Sequence, residues 1–120
     1  MILVDTSIWV DHLRAGDRGL SALLESGLVL THPFVIGELA LARLKSRAVI
    51  LKALADLPQA RVATDHEVLE FIDSQSLAGS GLGYVDVHLL AAARLTDDAG
   101  LWTRDRRLHG AANRLRLSAH

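Results

Sequence analysis

Short apolar segments alternate with longer helical patterns along the chain, and this alternation restricts the fold more than any other feature. The first segment, ILV at residues 2–4, is followed at once by Asp5, Thr6 and Ser7, the residue types that begin helices. Strands that alternate with helices predict an α/β fold with a short, mostly parallel central sheet and helices on both faces. About four or five strands are expected. They lie at residues 2–4, 28–30, 61–63 and 100–103, with residues 115–117 as a candidate edge strand.

Glycine, proline and capping residues set the predicted helix boundaries. Gly16 and Gly27 are expected to end the first two helices, and Pro33 to begin the third. Thr64 and Glu67 have the spacing of a capping box, which predicts the start of the fifth helix. The glycine-rich segment SLAGSGLG, residues 76–83, lacks the spacing of a phosphate-binding fingerprint and predicts an ordinary loop. Helices are expected around residues 8–13, 20–24, 33–46, 48–57, 65–72, 84–95 and 104–113.

The composition predicts one domain over residues 1–120 and excludes several functional classes. Thirteen Lys and Arg against fourteen Asp and Glu argue against binding nucleic acid by bulk positive charge, so any such contact must be local. There is no cysteine, which excludes disulfides and thiolate metal sites. No apolar run is long enough to span a membrane, and no signal peptide precedes the first strand. These features predict a cytoplasmic protein with no membrane partner.

Four acidic residues lie at strand ends or within apolar helical segments, positions at which an acid needs an explanation. Asp5 ends the first predicted strand and Asp105 follows the strand GLWT, and ligand sites in open α/β sheets lie beyond the carboxyl ends of strands. For either residue alone, the simpler interpretation is that it caps the next helix. Glu38 lies mid-helix between apolar flanks, with no cation three or four residues away, and Asp86 has a similar setting. Both are therefore expected to be buried carboxylates without a local partner, which is costly.

Two arrangements would compensate such carboxylates. A distant arginine could pair with them, or they could converge on a metal ion. Carboxylate oxygens without Cys, and without His in metal-binding spacing, favour Mg²⁺ or Mn²⁺ over zinc. Sites of this kind suit phosphoryl chemistry, in which the metal activates a water molecule. The second arrangement therefore leads to the hypothesis of a hydrolase acting on phosphodiesters. A haloacid-dehalogenase phosphatase is disfavoured because Ser7 stands where its second Asp is needed.

Taken in order, these motifs resemble a PIN-domain ribonuclease, and the small size resembles the VapC toxins of type II toxin–antitoxin pairs. The resemblance rests on DTS at residues 5–7, IGELAL around Glu38, YVDVHLLAAA around Asp86 and WTRD ending at Asp105. It implies that Asp5, Glu38, Asp86 and Asp105 form a catalytic, metal-holding cluster, with Asp5 and Asp86 as direct ligands. Thr6 and Thr103 match hydroxyl positions that orient the carboxylates or the water.

The resemblance also implies a function and partners. It implies a Mg²⁺- or Mn²⁺-dependent endoribonuclease that cuts single-stranded RNA with a water nucleophile and leaves a 5′-phosphate. It further implies a homodimer and a cognate VapB-type antitoxin that blocks the acidic pocket, for which a basic residue would be the simplest means. A non-catalytic PIN-like module that binds RNA or a partner stays open as the alternative.

Other side chains have competing interpretations. The basic C-terminal segment, with Arg104, Arg106 and Arg107, would suit RNA phosphates, but it would equally suit a solvated helix face. His88, two residues after Asp86, is expected to point away from it and to have no chemical role. Trp9 and Trp102 are expected to pack in the core or a dimer interface rather than against bases.

Overall fold

A three-stranded parallel sheet forms the centre of the protein. The computed structural model describes residues 1–119. The strands are β1 (Ile2–Val4), β2 (Val29–Leu30) and β3 (Gly100–Trp102), in the order β2-β1-β3. In this register Leu3 lies opposite Leu30 on one side and Leu101 on the other. The predicted α/β fold with a parallel sheet is confirmed, with three strands rather than four or five.

Helices connect the strands and cover the sheet. Leu3 and Val4 point to opposite faces of β1 and both are fully buried, so both faces of the sheet are covered. The helices are α1 (Thr6–Ala15), α2 (Arg18–Glu25), α3 (Pro33–Ala40), α4 (Arg47–Asp56), α5 (Asp65–Ser74), α6 (Tyr84–Leu95) and α7 (Arg106–Arg114). The middle of α6 is buried from Val87 to Ala93, which makes it the central helix of the core. No helix within residues 1–119 is long and apolar enough to cross a membrane.

Two predicted strands are absent because the backbone turns away from the sheet. Gln59 alone bridges to Thr31 beyond β2, and the amide of Arg61 instead donates to the Thr96 hydroxyl at 2.9 Å. The prediction of a strand at residues 61–63 is therefore wrong. At the other edge Arg116 has a positive φ of 60°, so residues 115–117 cannot be extended together. The described chain near this edge instead forms one isolated β-bridge, between Ser118 and Leu101.

The third helix ends six residues earlier than its apolar pattern predicts. It ends at Ala40, and residues 41–46 turn the chain so that α4 packs back against α3. Leu41 is 91% exposed, so the apolar pattern of this segment does not report burial. The capping box that begins α5 is present as predicted, with the Glu67 amide donating to Thr64 Oγ1 and the Thr64 amide donating to Glu67 Oε1.

Candidate active site

Asp5 lies where the central strand meets the first helix, and its carboxylate is fully engaged by hydrogen bonds. Its Oδ1 accepts the Thr6 amide at 2.8 Å and so caps α1. Its Oδ2 accepts the hydroxyls of Ser7 at 2.9 Å and Thr103 at 2.7 Å. The side chain is 7% exposed, so these bonds hold it in one orientation. Asp5 is thus a cap, as the simpler interpretation proposed, and also the most tightly positioned acid of the group.

Thr103 connects Asp5 to Asp105. Its hydroxyl donates to Asp5 and accepts the Asp105 amide at 3.0 Å. The Asp105 carboxylate caps α7 by accepting the Leu108 amide at 2.9 Å, and Asp105 is exposed to solvent. Because β1 and β3 are parallel neighbours, both acids lie at the same edge of the sheet. The spacing of Thr103 and Asp105 is therefore explained by this bridge.

Glu38 is exposed, and the prediction that it is a buried carboxylate is wrong. It lies in the last turn of α3, which ends at Ala40, so the apolar residues that follow it in sequence do not enclose it. Its Oε1 accepts the Thr6 hydroxyl at 2.7 Å. The residue that holds Glu38 is therefore Thr6, which directly follows Asp5.

Asp86 is the half-buried acid of the group, in the first turn of α6. Burial is the largest cause that raises its pKa above the usual carboxyl value, and the negative charges of Asp5, Asp105 and Glu38 raise the pKa further. The Gly83 amide, which donates to Asp86 Oδ2 at 3.2 Å, opposes these effects. The other three acids thus lie close enough to affect the ionisation of Asp86.

The chemistry of the four acids fits a divalent cation, although their side chains are not arranged to enclose one. Within residues 1–119 no three His, Cys, Asp or Glu side chains converge in a geometry that would hold a metal ion. The donors are nonetheless all carboxylate oxygens, which hard cations prefer. Their mutual repulsion, seen at Asp86, is the kind that a cation relieves. The residues therefore fit Mg²⁺ or Mn²⁺ by charge and donor type.

A cleft of about 520 Å³ joins two of the acids to three arginines. Arg104 is not free in it, because it pairs with Asp11 at 2.7 Å and with Asp17 at 2.8 Å. Arg107 donates weakly to the Gly81 carbonyl at 3.4 Å. Arg106 has no polar partner in the described part of the chain. The cleft is lined by Gly81, Asp86, Arg104, Asp105, Arg106 and Arg107.

Comparison with known proteins gives the family of this chain. A model of the PIN domain matches residues 2–113. The chain belongs to the PIN-domain family. It is also 50% identical over 111 residues to Ribonuclease VapC32 of Mycobacterium tuberculosis, from strains CDC 1551 / Oshkosh and ATCC 25618 / H37Rv. The matched region covers 92% of this chain and 90% of that relative, so the resemblance to VapC ribonucleases is confirmed.

This PIN domain also contains a buried aromatic cluster beside the acids that sequence reasoning missed. His32 is fully buried, and its Nδ1 accepts the Phe34 amide at 3.0 Å to begin α3. His88 is 2% exposed, and its ring centroid lies 4.6 Å from that of Phe34 and 6.5 Å from that of His32. The sequence signal for His32 was its position directly before Pro33, because the residue that precedes the first turn of a helix needs an acceptor to cap it. Trp9 is in the core, as expected, and Trp102 is half-buried.

We expect the buried His32 to make this PIN domain less stable in acid. Desolvation, with a smaller effect of His88, lowers the pKa of His32 from 6.5 to about 4. As the pH falls below 6.5 the unfolded chain binds a proton that folded His32 refuses, so stability falls until about pH 4. The difference between the pKa values of His32 in the unfolded and folded states corresponds to about 3 kcal/mol of unfolding free energy. We expect urea titrations between pH 7 and pH 4 to show this loss.

Two variants separate His32 from the other ionisable groups. His32→Asn keeps an acceptor for the Phe34 amide and should be less stable at pH 7, but it should lose less stability as the pH falls. His66→Asn, on the exposed side of α5, should keep the wild-type slope. An unchanged slope in His32→Asn would contradict the assignment.

Proposed function

We propose that this chain is the toxin of a type II toxin–antitoxin pair and that it hydrolyses RNA as a Mg²⁺- or Mn²⁺-dependent endoribonuclease. The observation that carries the proposal is the set of four carboxylates at one edge of a parallel sheet, three of which raise the pKa of the fourth. The name of its relative VapC32, a ribonuclease, supports the same reaction. We further propose that residues 1–120 act as a single PIN domain.

The chain's own residues hold the reacting groups in place. Asp5 and Asp86 would be the direct ligands of the metal, with Glu38 and Asp105 completing the set. The bound metal lowers the pKa of a water molecule and neutralises charge on the phosphate. Thr103 and Ser7 fix the position of Asp5, because the hydroxyl of each donates a hydrogen bond to its Oδ2. Thr6 holds Glu38 in the same way.

RNA would enter through the arginine-lined cleft. Arg106 is free to bind a phosphate, and Arg107 would exchange one weak bond to the Gly81 carbonyl for a charged one. Arg104 would first have to leave Asp11 and Asp17, so we propose that it chiefly joins the start of α7 to α1 and α2. Two arginines beside the acids allow local phosphate binding in a chain of net charge −1.

The proposed partners follow from the charge of the site. A VapB-type antitoxin would inhibit the toxin by placing a basic residue among the carboxylates, which would replace the metal's positive charge. The toxin is proposed to act as a homodimer.

A second function is favoured by one observation. Asp5 and Asp105 cap helices, and Asp86 accepts the amide before its own helix, so each acid has a structural role without any metal. The alternative is therefore a PIN-like module that binds RNA or a partner and does not cut.

The two functions differ in what the purified protein does to RNA. We expect the protein, freed of antitoxin, to cut end-labelled single-stranded RNA in the presence of Mg²⁺ and to leave 5′-phosphate ends. A Glu38→Gln protein purified in parallel should cut far more slowly, which controls for contaminating nucleases. Binding of the RNA without cutting, at any divalent metal concentration, would contradict the nuclease and support the binding module.

A further inference from the structure

Among the Trp, Phe and Tyr side chains of the described residues, that of Tyr84 is the most exposed to water. The sequence has two Trp, two Phe and this Tyr. Trp9 is buried, Trp102 and both Phe residues are half-buried, and Tyr84 is 46% exposed. An exposed aromatic ring presents a flat apolar surface, so its location decides what it can bind.

The Tyr84 ring is held in position from two sides. Its hydroxyl donates to Asp65 Oδ1 at 3.1 Å, at the start of α5. The ring stands at 86° to the imidazole of His88 with the centroids 4.8 Å apart, and His88 in turn contacts Phe34. A ring fixed in this way loses little conformational entropy when a ligand stacks on it.

The stability of the fold does not explain why a histidine, His88, supports the Tyr84 ring. Within residues 1–119 neither ring nitrogen of the buried His88 makes a hydrogen bond, and its Nε2 lies 3.5 Å from Asp65 Oδ1. A buried polar group that lacks hydrogen bonds costs free energy, which an aliphatic residue at the same place would not. The imidazole therefore costs stability at the position where it supports Tyr84.

Tyr84 lies beside the acidic site, on the side away from the arginines. Tyr84 and Asp86 are the first and third residues of α6, so their side chains diverge by about 200° around the helix. Asp86 lines the cleft that contains Arg106 and Arg107. Phe34, which contacts His88, lies one helical turn before Glu38 on α3. Around α6, Asp86 is thus flanked by the arginine-lined cleft on one side and by the exposed ring of Tyr84 on the other.

We propose that Tyr84 is a stacking platform for an RNA base close to the scissile phosphate, and that it sets where the substrate is cut. This inference rests on the proposed ribonuclease function. Unpaired bases are commonly bound by stacking on aromatic side chains, while the backbone is held by arginines. Tyr84 would therefore position the substrate without touching the reacting phosphate.

Variants that keep or remove the ring test this proposal. We expect Tyr84→Leu to raise KM for a short single-stranded RNA about 5- to 150-fold, with a smaller change in kcat, because stacking contributes about 1–3 kcal/mol per base. Tyr84→Phe keeps the ring and should stay within about threefold of wild type, since only the hydrogen bond to the exposed Asp65 is lost. Leu69→Ala removes another exposed apolar side chain, on α5, and should have no effect.

A fluorescent base gives a readout that a structural defect would not imitate. In an Asp105→Asn background, which slows cutting, 2-aminopurine is placed at successive positions of the RNA. One position should be quenched on binding wild-type Tyr84 or Tyr84→Phe and should stay bright with Tyr84→Leu. An abasic site at that position should weaken binding to the wild type and make no difference to Tyr84→Leu.

The outcomes distinguish failure of this inference from failure of the proposed function. If the wild type cuts RNA and Tyr84→Leu shows the same KM and the same quenching, only the stacking inference is overturned. If the wild type neither binds nor cuts RNA, both are overturned. If Tyr84→Leu dissociates a dimer, and raising the protein concentration restores both dimer and RNA binding, Tyr84 belongs to an interface and the stacking inference is overturned.

Discussion

Replacement of Asp5 by Asn is expected to lower the rate of RNA cleavage at least about 100-fold while the fold stays intact. Asn caps a helix as well as Asp does, so α1 should keep its cap. The Ser7 and Thr103 hydroxyls, which donate to Asp5 Oδ2, can rotate to accept from the new amide instead. What the variant removes is the negative charge of the proposed metal ligand. Single-turnover cleavage and thermal unfolding, measured on the same preparation, test the two halves of this expectation.

A matched variant shows whether loss of one negative charge is sufficient. Asp56→Asn removes an exposed carboxylate that pairs with Lys52 at 2.9 Å on α4. We expect it to cut RNA at the wild-type rate. If Asp5→Asn cuts as fast as this control, Asp5 is a helix cap only.

Removal of divalent ions is expected to stop RNA cleavage, and added Mg²⁺ or Mn²⁺ to restore it. Without a cation the four carboxylates repel one another, which is why the pKa of Asp86 is raised by the other three. Arg104 is already paired with Asp11 and Asp17, and Arg106 and Arg107, which line the cleft, are the groups that we propose bind the RNA phosphates. The measurement is the cleavage rate during titration with EDTA and then with each metal.

A second readout of metal binding does not depend on activity. A ligand that binds only the folded state raises the unfolding free energy by about 2.7 kcal/mol at a concentration 100 times its Kd. The melting temperature of the wild type should therefore rise with Mn²⁺, and that of Asp5→Asn should rise much less. Cleavage that persists in excess EDTA would remove metal-assisted hydrolysis from the proposal.

Strand order explains why these acids meet. β1 is the central strand, and all three strands are parallel. Asp5, which follows β1, therefore lies between the carboxyl ends of β2 and β3. Asp105 follows β3 and Glu38 lies on the helix that follows β2, so both approach Asp5 from its two sides. Asp86 comes from α6, the helix that precedes β3 and packs on it.

Local patterns in the sequence predicted much of this arrangement. The three apolar strands, the end of α1 at Gly16 and the capping box at Thr64 depend on neighbouring residues, so they are readable without the fold. The positions of Asp5 and Asp105 at strand ends were readable for the same reason. Glu38, a proposed site residue, was predicted from a wrong premise, because apolar neighbours in sequence do not bury a side chain near a helix end.

Local propensity and residue identity account for the alternation of strands and helices, for the family, and for which acids end the strands. The packing of the elements accounts for the departure of the chain from the sheet after Gln59, for the contact of Thr6 with Glu38, and for the pairing of Arg104 with Asp11 and Asp17. It alone also placed Tyr84 on a buried His88. Each of these joins groups far apart in sequence, and such contacts depend on how the elements pack rather than on the residues within any one of them.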